Sequence, residues 1–133
     1  MTEVYHGRGY VYSIEYHIVW CVKYRKPILK GNIEVYLKEI LLNIAEEHNF
    51  KIEEMETDKD HIHILISCKS QHYIPDMVKA LKGVSARKIF SKFPWIKQSL
   101  WDGHLWNPSY FVATVSENTE EQIRKYIQNQ KIK

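Results

Sequence analysis

Residues 60–66 read Asp-His-Ile-His-Ile-Leu-Ile, and no other stretch limits the fold of this chain as much. The two-residue alternation makes it a strand, and successive strand side chains point to opposite faces. His61 and His63 therefore look out from one face, while Ile62, Ile64 and Ile66 enter a core on the other. Such a strand needs apolar cover on one side only. Two neutral imidazoles held in parallel on a rigid sheet can share one divalent cation. The H-x-H spacing alone more often marks a pair of half-exposed histidines with no ligand, so the rest of the chain has to decide.

From Tyr10 to Val22 the alternation is strict. Tyr12, Ile14, Tyr16, Ile18, Trp20 and Val22 form a core row, and the opposite row, Val11 to Cys21, carries Glu15 and His17 at its centre. A polar centre on a long strand marks a sheet face that does more than pack helices. Met1 to Gly9 reads as a loose leader before it. Asn32 can cap an amphipathic helix with apolar positions at Ile33, Tyr36, Leu37, Ile40, Leu41 and Ile44. Phe50 to Glu56 resumes the two-residue period as an exposed strand, and Asp58-Lys59-Asp60 turns it into the histidine strand, giving a hairpin that ends near Cys68. Pro75 suits the first turn of a second helix ending near Phe93-Pro94. Residues 95–107 read as an ordered loop, Ser109 to Val115 as a fourth strand, and Thr119-Glu120-Glu121-Gln122 as a capping box that opens a terminal helix. In that helix Ile123 and Ile127 face inward, and Tyr126 and Gln130 stand one above the other beside them.

The order strand, helix, strand, strand, helix, strand, helix is that of an α+β, ferredoxin-like split β-α-β sandwich. It predicts an antiparallel four-stranded sheet with two helices on one face and an added C-terminal helix carrying the tyrosine. With the strand order usual for this topology, the histidine strand lies antiparallel beside the first strand. Glu15 and His17 then share the open face with His61 and His63, and the terminal helix can cover it. A metal-bound histidine pair facing a tyrosine is a phosphodiester-cleaving arrangement, in which the cation polarises the phosphate and the phenolate attacks it.

At 133 residues the chain is read as one domain spanning 1–133. With 19 basic against 16 acidic residues the net charge is only +3, so affinity for a nucleic acid has to come from a local patch. The second helix offers one, with Lys79, Lys82, Arg87, Lys88 and Lys92 against the lone Asp76, although the same residues also make an ordinary solvated face. Cys21 and Cys68 lie inside strands without C-x-x-C spacing and follow no secretory segment, which predicts free thiols in a reducing cytoplasm. No apolar run is long enough to span a membrane, and no membrane partner is expected.

The chain resembles the HUH-type single-tyrosine transposases of simple insertion sequences, the IS200-like family that moves as single-stranded DNA. The likeness is carried by Tyr16-His17-Ile18-Val19-Trp20-Cys21-Val22-Lys23-Tyr24-Arg25, by Asp60-His61-Ile62-His63, by Leu81-Lys82-Gly83 with Ser85-Ala86-Arg87, by Leu105-Trp106 with Ser109-Tyr110-Phe111, and by the late Tyr126. The resemblance implies that His61, His63 and Gln130 bind a divalent cation, Mg2+ or Mn2+. It implies that Tyr126 is the nucleophile, forming a 5′-phosphotyrosine link and releasing a free 3′-hydroxyl. Further expectations are a homodimer, in which the terminal helix of one subunit can complete the other's site, and recognition of imperfect single-stranded hairpins at element ends. Lys79, Lys82 and Arg87 are assigned to DNA contact on charge more than on motif. Three alternatives stay open: a non-catalytic nucleic-acid-binding domain of the same fold, a metal-dependent hydrolase using water, and a domesticated relative that processes chromosomal repeats.

Overall fold

The computed structural model describes residues 5–7, 10–12, 14–69, 73–100, 102–115 and 120–129. Strand β1 (Tyr5–Gly7) pairs antiparallel with β2 (Tyr10–Tyr12) in a separate two-stranded sheet, so the leader expected at the N-terminus contains a hairpin strand. The long first strand divides accordingly: β3 (Ile14–Cys21) is its continuation in the main sheet. After a short 3-10 turn at Lys23–Arg25 come α1 (Gly31–Glu47), β4 (Lys51–Asp58), β5 (His61–Cys68), α2 (Ile74–Lys92), α3 (Ile96–Ser99), β6 (Phe111–Thr114) and α4 (Glu120–Asn129). Two expected boundaries move. Lys30, without a side-chain cap, precedes α1 where Asn32 was expected to cap it, and Gly31 supplies a positive φ of 59° at the first helical position. Residues 95–107 are an ordered loop that includes one helical turn, α3.

The main sheet runs β4-β5-β3-β6, all antiparallel, which is the strand order of the ferredoxin-like sandwich. Its register fixes both faces. Trp20 lies opposite Ile62, Ile18 opposite Ile64 and Tyr16 opposite Ile66, so one face is a continuous apolar sheet. Leu37, Ile40, Leu41 and Ile44 of α1, with Met77, Val78, Leu81 and Ile89 of α2, close this face into the core. Trp20, Ile62, Ile64 and Ile66 are wholly buried there. At about 25 cal/mol per Å2 of apolar area, each fully buried side chain of this size contributes about 2–3 kcal/mol. The loop before β6 is pinned to this layer by Trp106, whose ring meets Trp20 edge-on at 5.8 Å and whose Nε1 donates to Ser85 Oγ at 3.0 Å.

The opposite face carries the other parity. Cys21 stands across from His61, Val19 from His63, His17 from Leu65 and Glu15 from Ser67. On the far side of β5, Asp58 pairs with His61, Glu56 with His63 and Glu54 with Leu65, so a row of carboxylates flanks the row of imidazoles. From β6, Phe111 and Ala113 complete the face. Among the described residues, α4 is the helix that contacts β3 on this face. Among the described residues no helix is long and apolar enough to cross a membrane.

Candidate active site

His61 and His63 reach the α4 side of the sheet because β5 alternates without a break: the histidines and Leu65 are half-buried while Ile62, Ile64 and Ile66 are buried. They line a cleft of about 230 Å3 whose other walls are Glu56, Thr57 and Asp58 from β4 and Ile123 and Ile127 from α4. The terminal helix therefore lies against the histidine pair, with its apolar stripe forming the roof.

Each imidazole has a defined partner. Asp60 Oδ1 stands 2.8 Å from His61 Nδ1. Hydrogen bonds from His61 and Arg25 lower the Asp60 pKa against the opposing effect of its partial burial, so the carboxylate is ionised and can only accept. His61 thus carries a proton on Nδ1, which leaves Nε2 as the ring nitrogen available to a cation. An outer carboxylate that fixes the imidazole tautomer in this way is a recurrent feature of histidine metal ligands. His63 is held differently: its Nε2 lies 2.8 Å from Nδ1 of His17, with the two ring centroids 5.0 Å apart. Burial, followed by the neighbouring His17, lowers the His63 pKa, which favours the neutral imidazole that a cation requires. Among the described residues no group of three or more His, Cys, Asp or Glu side chains is arranged to hold a metal ion. Gln130 lies outside the described residues. The donor chemistry nonetheless fits a divalent cation, with two imidazoles on one face, one oriented by a carboxylate, and Glu56 and Asp58 lining the same cleft.

Tyr126 points away from that cleft. Its hydroxyl lies 2.9 Å from Ser109 Oγ, and its ring packs on Phe111 at 6.0 Å. Burial pushes its pKa up to about 12, with the Ser109 hydrogen bond pulling the other way. The phenol consequently keeps its proton at neutral pH. Ser109 itself is fixed by Asn107, whose Oδ1 accepts from both the Ser109 amide and its hydroxyl.

The three basic residues of α2 differ in placement. Lys82 and Arg87 are five residues apart, about 140° around a helix at 3.6 residues per turn. Lys79 and Arg87 are exposed, whereas Lys82 is partly buried and donates to the carbonyls of Asn107 and Ser109 at 2.7 and 3.0 Å. Burial draws its pKa down to about 8. Lys79, Lys82 and Gly83 border a groove of about 350 Å3 with Val78, Pro108 and Tyr110. A Cβ at Gly83 would meet nothing within 4 Å, so the backbone there borders open space.

Several site residues carry no obvious sequence signal. Arg25 and Asp60 are joined by a salt bridge of 2.7 Å across 35 positions. Glu56 and Asp58 enter the cleft from a strand read as merely exposed. The parity of Glu54, Glu56 and Asp58, carried across the hairpin, was the clue that places them beside the histidines.

The model of the IS200-like transposase family matches residues 10–130. This chain belongs to that family. Among its relatives, the ISDra2 transposase TnpA of Deinococcus radiodurans is 53% identical over 128 residues, covering 96% of this chain and 91% of the relative. The transposase for insertion sequence element IS200 of Salmonella typhimurium is 31% identical over 119 residues, covering 90% and 78%. A crystal structure of a transposase from Deinococcus radiodurans R1 superposes with a TM-score of 0.88 at 51% identity, covering 95% of this chain and 97% of that one. A REP-associated tyrosine transposase bound to a REP hairpin shares the fold at a TM-score of 0.57 and 11% identity, covering 99% of this chain and 76% of that one. The IS200-like family is one of transposases, so this chain's activity is DNA cleavage and transfer.

Proposed function

We propose that this IS200-like transposase cuts and rejoins single-stranded DNA at hairpin-marked element ends, through a 5′-phosphotyrosine on Tyr126. The observation that carries the reading is the histidine cleft itself, where His61 Nε2 is left free by Asp60 and the helix bearing Tyr126 forms the roof. His61 and His63 would hold the cation, magnesium or manganese, with Gln130 as a third protein ligand. When bound, the cation would polarise the scissile phosphate and help draw the phenol proton.

Tyr126 Oη forms the new bond to phosphorus as the bond to the 3′-oxygen breaks, and that oxygen leaves as a free 3′-hydroxyl. The phenol proton is lost in the same step. Rejoining is the reverse, with an incoming 3′-hydroxyl displacing the tyrosine. Because the phenol's pKa lies near 12, Tyr126 has to leave Ser109 and meet a group that removes its proton. His63 likewise has to release His17 before its Nε2 can serve as a ligand. The structure is therefore read as a resting arrangement. Lys79 and Lys82, at the groove beside Gly83, and Arg87 on a neighbouring side of α2 are assigned to phosphate contacts. Residues 1–133 are taken as one domain working as a homodimer, for which the exposed Val112 and Val115 at the β6 edge give an apolar starting point. Buried, free Cys21 and Cys68, each with a pKa raised to about 11 by burial, suit the reducing cytoplasm.

The test is incubation of the protein with a single-stranded oligonucleotide carrying the element end, with and without a chelator, followed by mass spectrometry. A nucleotide adduct on Tyr126 that needs the cation supports the reading. Cleavage without an adduct would favour a water-using hydrolase, and binding without cleavage a non-catalytic or domesticated relative.

A further inference from the structure

The 3-10 turn after β3 holds two non-glycine residues in the left-handed region, Tyr24 at φ 58° and Arg25 at φ 50°. Such a backbone costs about 1 kcal/mol or more per residue and persists only where surrounding contacts impose it. Here the turn is bound on three sides: Val22 N donates to Asp60 O, Lys23 N to Leu105 O and Arg25 N to Val22 O, all at 2.8 Å. The result is a guanidinium delivered to a single spot between the histidine hairpin and α4.

At that spot each nitrogen of the Arg25 guanidinium has a partner. Nε and Nη2 both address Asp60 Oδ2, at 2.9 and 2.7 Å, and Nη1 donates to the carbonyl of Ile127 at 2.9 Å. The other Asp60 oxygen holds His61. Ile127 belongs to the last turn of α4, where carbonyls lack helical partners and a cation is favoured by the helix dipole. One continuous chain of hydrogen bonds thus runs from the end of α4, through Arg25 and Asp60, to the ring of His61. The Arg25 and Asp60 side chains are only 18% and 22% exposed, so solvent screens it little.

We propose that Arg25 is a positioning residue that couples the docking of α4, and hence the placement of Tyr126, to the orientation of His61. The inference rests on the reading of His61 as a ligand only in its metal arm. The coupling is mutual by thermodynamic necessity: whatever orders His61 steadies α4, and whatever seats α4 orders His61. Lysine cannot replace this fork, because one ammonium cannot span the carboxylate and the carbonyl with the same planar geometry.

The experiment compares the full-length parent with Arg25→Ala, Arg25→Lys and Asp60→Asn by histidine-selective 15N NMR without metal, and by amide exchange read by mass spectrometry, first without metal and then with Mn2+. Without metal, the parent should show His61 as one tautomer protonated on Nδ1. Arg25→Ala should mix the tautomers and speed exchange in residues 122–129 about tenfold, with Arg25→Lys intermediate. Asp60→Asn should mix the tautomers most. With Mn2+, exchange in α4 should slow in the parent and not respond in Arg25→Ala, whose Mn2+ affinity should fall severalfold or more, as for other residues behind a metal ligand. Unchanged His61 tautomer and α4 exchange in Arg25→Ala would overturn the coupling. If the parent binds no Mn2+, the metal reading of the site fails while the metal-free tautomer and exchange measurements still decide the role of Arg25.

Discussion

The two faces of the sheet are built from the same strands and could hardly differ more. The centre of one is dry, with Ile18, Trp20, Ile62, Ile64 and Ile66 at 0% exposure under two long helices. The other interleaves Glu15, His17, His61 and His63 with a few apolar residues under one ten-residue helix, α4. Neighbouring positions on β5 thus belong to different problems, folding at Ile62, Ile64 and Ile66, and chemistry at His61 and His63. The contrast teaches that a strand alternating between these two kinds of residue can lose function without losing the fold, and can lose stability without touching the site.

The sharpest way to break this separation is at the reacting groups. Tyr126→Phe, and separately His61→Ala or His63→Ala, should each reduce covalent product by three orders of magnitude or more, a loss of about 4 kcal/mol of transition-state stabilisation. Thermal melting should stay within a few degrees of the parent, because none of these side chains fills the core. Tyr126→Phe should also bind the hairpin oligonucleotide and Mn2+ as the parent does. Residual nicking by Tyr126→Phe in a gel assay would hand the nucleophile's role to water or another tyrosine.

On the dry face the expected order reverses. Ile64→Ala should cost about 2–5 kcal/mol in denaturant unfolding, from lost burial and the cavity left behind, yet retain adduct formation at temperatures where it stays folded. Equal damage to activity and stability would mean that the faces are not separable.

A smaller effect comes from pH. The Tyr126 pKa is raised from 10 to about 12 in the folded chain, so the folded state holds the phenol proton where the unfolded chain gives it up. This group's contribution to stability is present in full below pH 10 and is lost as the pH rises through 12. Urea midpoints of the parent should therefore fall faster than those of Tyr126→Phe across that window. Parallel curves would remove the case for a buried phenol.

The smallest expected effect concerns His17. Its hydrogen bond competes for His63 Nε2, and a net bond of about 1 kcal/mol corresponds to roughly fivefold in affinity. His17→Ala should bind Mn2+ more tightly by about that factor in calorimetry. Weaker binding would make His17 a participant in the metal centre instead of a competitor.

Much of this was legible in the sequence because period two is a physical signal about faces. Alternation in residues 14–21 and 61–68 placed the core row, the histidine row and His17 correctly, and the order of elements implied the sheet that is found. What escaped has no local signature. The left-handed turn at Tyr24 and Arg25 uses neither glycine nor asparagine, so nothing in its residues announces it. The salt bridge from Arg25 to Asp60 and the bond from Tyr126 to Ser109 join distant elements through geometry alone. Lys82 was read by charge as outward, whereas its long stem lets the ammonium turn in to the carbonyls of residues 107 and 109.

The acidic row along β4 also gives the molecule a direction. Glu54, Glu56 and Asp58 stand exposed at one margin of the open face, while Lys79, Arg87 and Lys88 stand exposed on α2, the helix that reaches the loop before β6 at the other. A polyanion drifting towards this protein meets a repulsive margin and an attractive one within a few Debye lengths of each other, and the small net charge does not blur them. If the open face takes DNA as proposed, this asymmetry disfavours approach over the β4 edge.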